Sequence, residues 1–421
     1  MRLRTLLSCR ALLLALAALA FGLAVPPCAA AQTAGILHRG IALFHPLYSA
    51  DTTPGPDKQF LFPPFAAARH TLTDKQLSII RKAGFDFVRL PVDPGPFLQF
   101  TGARRDALDD QLGRTVQRIL DSGLAVIVDF HPNAYGPADY LPPALVKGAD
   151  TPMFESYCTM LTRTARLLDG LHSERVAFEL MNEPAVGGTF AGDAQWQTME
   201  EMAYARIRAV SPKLTLVLTG GRNGGFDGLT ALDPGRFSKD NAVLYTFHYY
   251  RPLEFTYQSY SPDPKYRLAA DIPYPAQARP MSDSVNAITV RVMKLDSSLA
   301  QRATDMAKGF ADLVRYKAEN FGRSDIHRDF DQVASWAKTN NIPPNRIFLG
   351  EFGVIRRHDI YDGARDSERI RWLSDVRQEA EARGFFWSLW AYSGTGGMEV
   401  IKNDHADEID LLTLSALGIE K

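Results

Sequence analysis

One unit recurs along the chain: an amphipathic helix, a glycine at its end, and a short apolar strand. In residues 72–84, LTDKQLSIIRKAG, Leu77 and Ile80 share one helical face, and the final glycine precedes the strand FDFVRLPV. Residues 109–123 and 367–384 repeat the arrangement. A glycine in this position is typical of a left-handed helix terminus. Because each following strand is apolar on both faces, the pattern predicts a parallel sheet covered by helices.

The number of such strands constrains the architecture. Eight strand and helix units favour a closed α/β barrel, the (β/α)8 or TIM barrel, over an open doubly wound sheet. The open sheet would need a phosphate-binding glycine pattern after its first strand, and the segment RGIALFHP has none. The predicted strands are Ile36–Leu43, Phe85–Pro91, Leu124–Phe130, Val176–Met181, Leu214–Thr219, Val243–Tyr249, Ile347–Glu351 and Phe385–Trp390.

One connection between strands is much longer than the others. The sixth strand ends near Tyr250 and the seventh begins near Ile347, while residues 329–341, DFDQVASWAKTNN, provide the one helix that a barrel requires there. We therefore treat residues 251–327 as an insertion after strand six. Since it follows the carboxyl end of a strand, we expect a lid or cleft wall over the active face, with a peripheral position as the alternative.

Residues 1–31 have the composition of a secretory signal peptide. Three arginines flank or precede the apolar run Ala11–Val25, and small residues precede Gln32, where we expect cleavage. The apolar run is short for a membrane-spanning helix. We therefore expect a periplasmic or secreted protein, residues 32–421, with no stable membrane association after removal of the signal.

Charge and cysteine content bear on partners and stability. The 47 Lys and Arg residues nearly balance the 48 Asp and Glu residues, a composition that does not favour nucleic acid as a partner. We expect a monomer. Cleavage of the leader would leave Cys158 as the single cysteine, so stability is expected from packing rather than from an intramolecular disulfide.

Polar and aromatic side chains follow the predicted strands at the points where they end. In a (β/α)8 barrel the carboxyl ends of the strands surround the active site, so these side chains are expected to meet. The set combines carboxylates, histidines, a cation, an amide and flat aromatic rings, an unusual collection for strand ends taken at random. In chain order it consists of Arg89, Asp129, His131, Asn182, Glu183, His248, Tyr250, Glu351 and Trp390.

The segments around these residues resemble the family 5 glycoside hydrolases, the cellulase family. The likeness covers about residues 35–392 and is carried by FELMNEPA, GEFG, RLPV, DFH, FHYY and SLWAYSG in family order. It implies a catalytic barrel that cleaves a β-linked glucan with retention of configuration and uses neither cofactor nor metal. It also makes Glu183 the acid/base and Glu351 the nucleophile. Retaining hydrolysis requires their carboxyl groups to lie about 5–5.5 Å apart.

The resemblance also implies supporting roles for the other strand-end residues. Arg89 is expected to keep Glu351 ionised and oriented. Asn182 would donate a hydrogen bond to the sugar 2-hydroxyl, a contact that strengthens in the transition state. Tyr250 would hydrogen-bond the nucleophile, and His248 would orient the acid/base or the sugar.

His131 and Trp390 are expected to bind the sugar beside the cleaved bond, although a core position is an alternative for both. The polysaccharide or oligosaccharide substrate is expected to be a β-1,4-glucan. β-Mannan, xyloglucan, β-1,3-glucan and an exopolysaccharide backbone remain alternatives, because specificity depends on loops such as 44–70 and 251–327. Residues 219–225, TGGRNGG, depart from the family in lacking an aromatic side chain.

Two other classes of protein remain open. A metal-dependent barrel hydrolase would use His131, His248, Glu183 and Glu351 as ligands. Its ligands would lack close spacing along the chain, and no His-x-His motif follows the first strand. A non-catalytic carbohydrate-binding barrel would keep the cleft, but the presence of both carboxylates argues against it.

Overall fold

The computed structural model describes residues 35–394, 396–401 and 408–419. Eight parallel strands close into a barrel in which each strand pairs with the next and the eighth pairs with the first. The predicted (β/α)8 architecture is therefore confirmed. The strands are β1 (Arg39–Ala42), β2 (Phe87–Val92), β3 (Ala125–Phe130), β4 (Val176–Glu179), β5 (Thr215–Thr219), β6 (Val243–His248), β7 (Ile347–Glu351) and β8 (Phe386–Leu389).

Helices surround the barrel and fill the connections between strands. They are α1 (Asp74–Ala83), α2 (Pro94–Gln99), α3 (Gly102–Asp121), α4 (Pro142–Leu145), α5 (Pro152–Asp169), α6 (Phe190–Arg208), α7 (Phe226–Ala231), α8 (Leu253–Thr256), α9 (Pro264–Leu268), α10 (Met281–Met293), α11 (Leu299–Glu319), α12 (Arg323–Thr339), α13 (Asp366–Ala382) and α14 (Leu411–Ala416). Short 3-10 turns lie at Ala68–His70, Ala138–Tyr140, Arg222–Gly224 and Pro344–Arg346, and a two-stranded ribbon pairs Arg357–His358 with Tyr361–Asp362.

The predicted helix ends are confirmed in atomic detail. The Thr73 hydroxyl accepts a hydrogen bond from the Gln76 amide while the Gln76 side chain accepts one from the Thr73 amide, which closes the first turn of α1. Gly84, Gly123 and Gly384 have φ values of 103°, 87° and 76°. Only glycine adopts this left-handed conformation without a steric penalty, so each helix ends within the two residues before its glycine.

A layer of apolar side chains fills the interior of the barrel. Phe87, Ile127, Ala177 and Phe348 are among its buried members. Because side chains alternate along a strand, the residue two positions farther along also points inward. That position is Arg89 in β2, so the first polar layer lies directly above the apolar one, toward the carboxyl ends of the strands.

Element boundaries differ from the prediction in the first strand, and the insertion divides into separate helices. β1 has four residues instead of the eight predicted, because its pairing with β2 and β8 extends only over Arg39–Ala42. Residues 251–327 include α8 to α11, with a break between the end of α10 at Met293 and the start of α11 at Leu299. The break coincides with Ser298, whose hydroxyl accepts the Gln301 amide and starts α11 as a new helix.

The predicted signal peptide, residues 1–31, lies outside the described residues. Within the described part of the chain, every helix is too short or too polar to cross a bilayer. The first part of the insertion, including α8 and α9, contributes side chains to the cavity at the barrel mouth, whereas α10 packs on α11 farther out.

Candidate active site

Arg89 is the centre of the polar layer. Its side chain is fully buried, and its Nε and Nη2 atoms donate to the two oxygens of Glu179 at 2.8 and 2.7 Å. Its Nη1 atom donates to Glu351 Oε1 at 2.5 Å, and Nη2 lies 3.0 Å from Asp129 Oδ2. One permanent cation therefore contacts three buried carboxyl groups, and the two parallel bonds to Glu179 hold its plane.

Glu351 and Glu183 approach each other above this cation. The Tyr250 hydroxyl donates to Glu351 Oε2 at 2.8 Å, and His248 Nδ1 lies 2.8 Å from Glu183 Oε1 and 3.6 Å from Glu351 Oε2. One atom each of Glu183, His248 and Glu351 lie within 4.8 Å of one another. The two carboxylates thus lie close together at the carboxyl ends of β4 and β7, as expected from the sequence.

The inward position of Glu351 depends on an irregularity in β7. Phe348 points into the barrel, so strict alternation would turn Gly350 inward and Glu351 outward. Instead the pairing of β6 with β7 shifts by one residue. Phe247 pairs with Leu349, and the next residue of β6, His248, pairs with Glu351, so that Gly350 is skipped and Glu351 takes the inward position. A side chain at Gly350 would place its Cβ 2.5 Å from Thr246 Oγ1, so glycine is required where β7 bends.

The environment of Glu183 differs from that of Glu351. Its backbone has φ of 43°, a left-handed conformation that is uncommon outside glycine and concentrates at functional sites. Its side chain is 37% exposed at the cleft, against 5% for Glu351. Burial of the carboxyl group among its neighbours still raises the pKa of Glu183, although the charge of Arg89 acts in the opposite direction.

Two buried histidines flank the carboxylates. Burial lowers the pKa of His131 and of His248 to about 4, so both imidazoles are neutral near pH 7. His131 Nδ1 lies 2.8 Å from Asp129 Oδ2, and Asn182 Nδ2 lies 3.1 Å from His131 Nε2. Since a carboxylate only accepts, we place the proton of His131 on Nδ1 and let Asn182 donate to Nε2.

This chain of hydrogen bonds also orients Asn182. Its Oδ1 atom accepts from Arg89 Nη2 at 2.8 Å, which fixes the amide so that Nδ2 faces His131. An amide nitrogen carries two hydrogens, and one of them remains for a ligand. The predicted contact with a sugar hydroxyl therefore needs no rearrangement of Asn182.

An aromatic wall borders the site on the side of β8 and β1. The Trp390 ring is half-buried and stacks on His131 with centroids 5.3 Å apart. Tyr48 meets the edge of His131 at 4.8 Å, and Phe44 packs on both Tyr48 and Trp390. We define the aromatic wall as Phe44, Tyr48, His131 and Trp390. It offers the flat apolar surface on which pyranose rings stack.

Three residues of this site were not singled out from the sequence. Glu179 lies two positions after the inward Ala177 of β4, so counting the strand alternation from the barrel interior would have found it. Burial raises the pKa of Glu179, and it raises that of Asp129 to about 7. Phe44 and Tyr48 begin the segment 44–70, whose aromatic content was the available signal.

A cavity of about 360 Å³ opens on the other side of Glu183. The Arg222 guanidinium lines it and is held by Asp193 at 2.7 Å and Asp227 at 3.4 Å. The aromatic side chain that TGGRNGG lacks is supplied by neighbours, since Phe226, Tyr257 and Tyr266 also line this cavity. A larger hollow of about 660 Å³ lies at the opposite end of the barrel and contains none of the polar network.

Comparison with known proteins agrees with this geometry. The family model described as Cellulase (glycosyl hydrolase family 5) matches residues 60–394. Endoglucanase 3 of Fibrobacter succinogenes is 24% identical over 357 residues, which are 79% of this chain and 47% of that protein. Cellodextrinase A of Ruminococcus flavefaciens is 28% identical over 182 residues, 43% of this chain and 52% of that protein. The chain thus spans about half the length of these curated relatives.

Solved structures share the fold. A hyperthermophilic endo-beta-1,4-glucanase in complex with substrate superposes with a TM-score of 0.64 at 21% identity, covering 93% of this chain and 99% of that one. The cellulose synthase subunit Z of Clostridioides difficile superposes with a TM-score of 0.63 at 22% identity, covering 90% and 99%. At this level of identity the likeness concerns the barrel and its helices.

Proposed function

The chain belongs to glycosyl hydrolase family 5, and from this membership we propose that it hydrolyses β-linked glucan by double displacement, as a retaining enzyme of the endo-β-1,4-glucanase type. The observation that supports the proposal most directly is the approach of Glu183 and Glu351 to within 4.8 Å at the mouth of the barrel. Inverting hydrolysis needs about 6.5–9.5 Å between the carboxyl groups to admit a water molecule, and this pair is closer.

In the first step, Glu351 attacks the anomeric carbon and Glu183 gives its proton to the departing glycosidic oxygen. The bond from the anomeric carbon to that oxygen breaks as the bond to Glu351 forms. Arg89 and Tyr250 each donate to one oxygen of Glu351, which orients the carboxylate for attack. The raised pKa of Glu183 keeps a larger fraction of it protonated near neutral pH than an ordinary glutamate would have.

In the second step, Glu183 acts as a base. The ester formed on Glu351 carries no charge, so the ionised form of Glu183 no longer faces a neighbouring anion. It then takes a proton from water, whose oxygen attacks the anomeric carbon and displaces Glu351. His248 lies between the two carboxyl groups as a neutral imidazole and holds Glu183 in place without adding charge.

A β-1,4-glucan is the proposed substrate, because the curated relatives are named as endoglucanases and a cellodextrinase. The aromatic wall would carry the sugars on the non-reducing side, and the cavity lined by Phe226 and Tyr266 would receive the leaving group. β-Mannan, xyloglucan, β-1,3-glucan and an exopolysaccharide backbone remain the alternatives. We further propose that residues 1–31 direct the enzyme to the periplasm or the medium.

Assay on a panel of polysaccharides, with the first-formed anomer followed by NMR, tests the proposal. We expect highest activity on soluble β-1,4-glucan and a β-configured first product. Inverted product would overturn the double displacement, and activity confined to mannan would replace the substrate. Loss of activity on treatment with a chelator, restored by a divalent cation, would favour the metal-dependent alternative. Binding of glucan without hydrolysis would favour the non-catalytic one.

A further inference from the structure

Two tyrosine side chains from separate loops meet at the carboxyl end of the barrel. The hydroxyls of Tyr135 and Tyr260 lie 3.2 Å apart, within hydrogen-bond distance. Tyr135 belongs to the loop that follows β3, and Tyr260 to the insertion that follows β6. Around the closed barrel, β4 and β5 lie between these two loops on one side, and β7, β8, β1 and β2 lie between them on the other. The contact therefore joins two well-separated parts of the rim.

The loops that carry the two tyrosines alternate around the rim with the strands that carry the two carboxylates. Glu183 follows β4 and Glu351 ends β7, so in projection along the barrel axis their strands alternate with β3 and β6 around the rim. The aromatic wall lies on the β8 and β1 side of the tyrosine pair. The cavity that contains Phe226 lies on the β5 side. In the order of the strands, the loops that carry the pair therefore separate the aromatic wall from that cavity.

The Tyr260 side of this contact is connected to the nucleophile through a row of rings. The Tyr250 hydroxyl donates to Glu351, the Tyr257 ring lies 5.3 Å from that of Tyr250, and Tyr260 lies 5.7 Å from Tyr257. His358 supports Tyr260 from the loop after β7, with ring centroids 5.0 Å apart. The ring of Tyr260 is therefore packed between Tyr257 and His358.

The Tyr135 side is anchored through its backbone. Its amide donates to Asn133 Oδ1 at 2.9 Å, and its carbonyl oxygen accepts a hydrogen bond from Lys58 Nζ at 2.7 Å. Lys58 belongs to the long loop after β1, so three rim loops take part in the closure. The ring of Tyr135 is otherwise 61% exposed, which leaves the single hydroxyl contact as its tie to the opposite rim.

We propose that Tyr135 and Tyr260 form a clasp that encloses the substrate over the two carboxylates and favours entry of β-glucan by a free chain end. The inference rests on the proposed function and adds a specificity-determining pair to it. A single hydroxyl contact opens readily, so internal chain segments enter while the clasp is open. Breaking the contact should change the balance between end and internal cleavage by about two- to tenfold, the equivalent of one ordinary hydrogen bond.

The test removes single hydroxyl groups. Tyr135→Phe and Tyr260→Phe keep both rings, and Tyr361→Phe is the control, since that ring lies under the Arg291 guanidinium on an outer groove. Viscosity loss of carboxymethyl cellulose per new reducing end measures internal cleavage. We expect the first two variants to raise this ratio about two- to tenfold and the control to leave it unchanged. Equal values for all four proteins would overturn the clasp.

A second measurement separates the clasp from the chemistry. In a Glu183→Gln background, cellohexaose should dissociate about two- to tenfold faster once Tyr135→Phe is added. An unchanged dissociation rate would overturn the clasp even if the enzyme hydrolyses glucan normally. If the wild-type protein hydrolyses neither carboxymethyl cellulose nor an aryl cellobioside, the proposed function fails and this dissociation rate alone decides the clasp. Absence of cellohexaose binding would overturn both.

Discussion

The carboxyl ends of β4 and β7 carry the same side chain in different surroundings. Glu183, after β4, is 37% exposed, has a left-handed backbone and touches a neutral histidine. Glu351, in β7, is 5% exposed and accepts hydrogen bonds from Arg89 and Tyr250. The same side chain therefore has different partners and exposure at the two strand ends, and such differences give identical carboxyl groups different roles in catalysis.

Removal of the β7 carboxylate should have the largest effect. We expect Glu351→Ala to lose at least roughly 10⁴-fold in kcat, because the other two carboxyl groups that contact Arg89, those of Asp129 and Glu179, are fully buried beneath the site. Added azide should restore turnover of an activated aryl glycoside and give the inverted product. Glu319→Ala, at a 52% exposed carboxylate, is the control. Full activity of Glu351→Ala without azide would contradict the assignment.

Covalent labelling tests the assignment of Glu351 as the nucleophile independently. A 2-fluoro-glycoside inactivator should become attached to Glu351 and be found there by peptide mass spectrometry, because the electron-withdrawing fluorine slows both steps and a good leaving group lets the ester accumulate. Label found on Glu183 instead would show that Glu183 is the nucleophile and would contradict the assignment of Glu351.

Removal of the Glu183 carboxyl group, after β4, should lower activity by a smaller factor that depends on the substrate. Glu183→Gln is expected to lose about 10²–10⁴-fold on polysaccharide, the usual contribution of general acid catalysis, and much less in the first step with an activated leaving group. The alkaline limb of its pH–activity profile, which the raised pKa of Glu183 sets in the wild type, should disappear. An unchanged alkaline limb would assign that ionisation to another group.

Replacement of Arg89 should lower activity, because Glu351 loses its orientation, and should also lower the stability of the fold. Arg89→Lys cannot reproduce the paired bonds to Glu179 together with the bond to Glu351, so we expect about 10²-fold lower kcat and about 3 kcal/mol lower free energy of unfolding. Denaturant unfolding and kinetics measure the two effects. The exposed Arg118→Lys is the control. Wild-type values for both quantities would show that charge alone suffices at this position.

The smallest expected effect is that of His248, which lies between Glu183 and Glu351, on the pH dependence of stability. Because its folded-state pKa is lowered to about 4 from 6.5, the unfolded chain binds more protons between these pH values, and stability falls as the solution is acidified. The loss is at most on the order of a few kcal/mol, since each pH unit between these two values contributes about 1.4 kcal/mol. His248→Gln should therefore make unfolding less dependent on pH in this window. The same slope in both proteins would show that His248 is not the group responsible.

Local patterns in the sequence determined the barrel and most of the strand-end residues. The helix, glycine and strand units follow from 3.6- and 2-residue periodicity and from the backbone freedom of residues such as Gly84, and these depend on neighbours along the chain. Chain order then placed Arg89, His248 and Trp390 at one end of the barrel, because all parallel strands present their carboxyl ends on the same side.

Tertiary structure decided how the side chains meet. Strict alternation would have turned Glu351 away from the site, and the shift of register beside His248 turns it inward. The grouping of Glu179 around Arg89 and the meeting of Tyr135 with Tyr260 join residues that are about 90 and 125 positions apart. Such contacts depend on the register between strands and on the packing of separate loops against each other, which periodicity along a single segment does not encode.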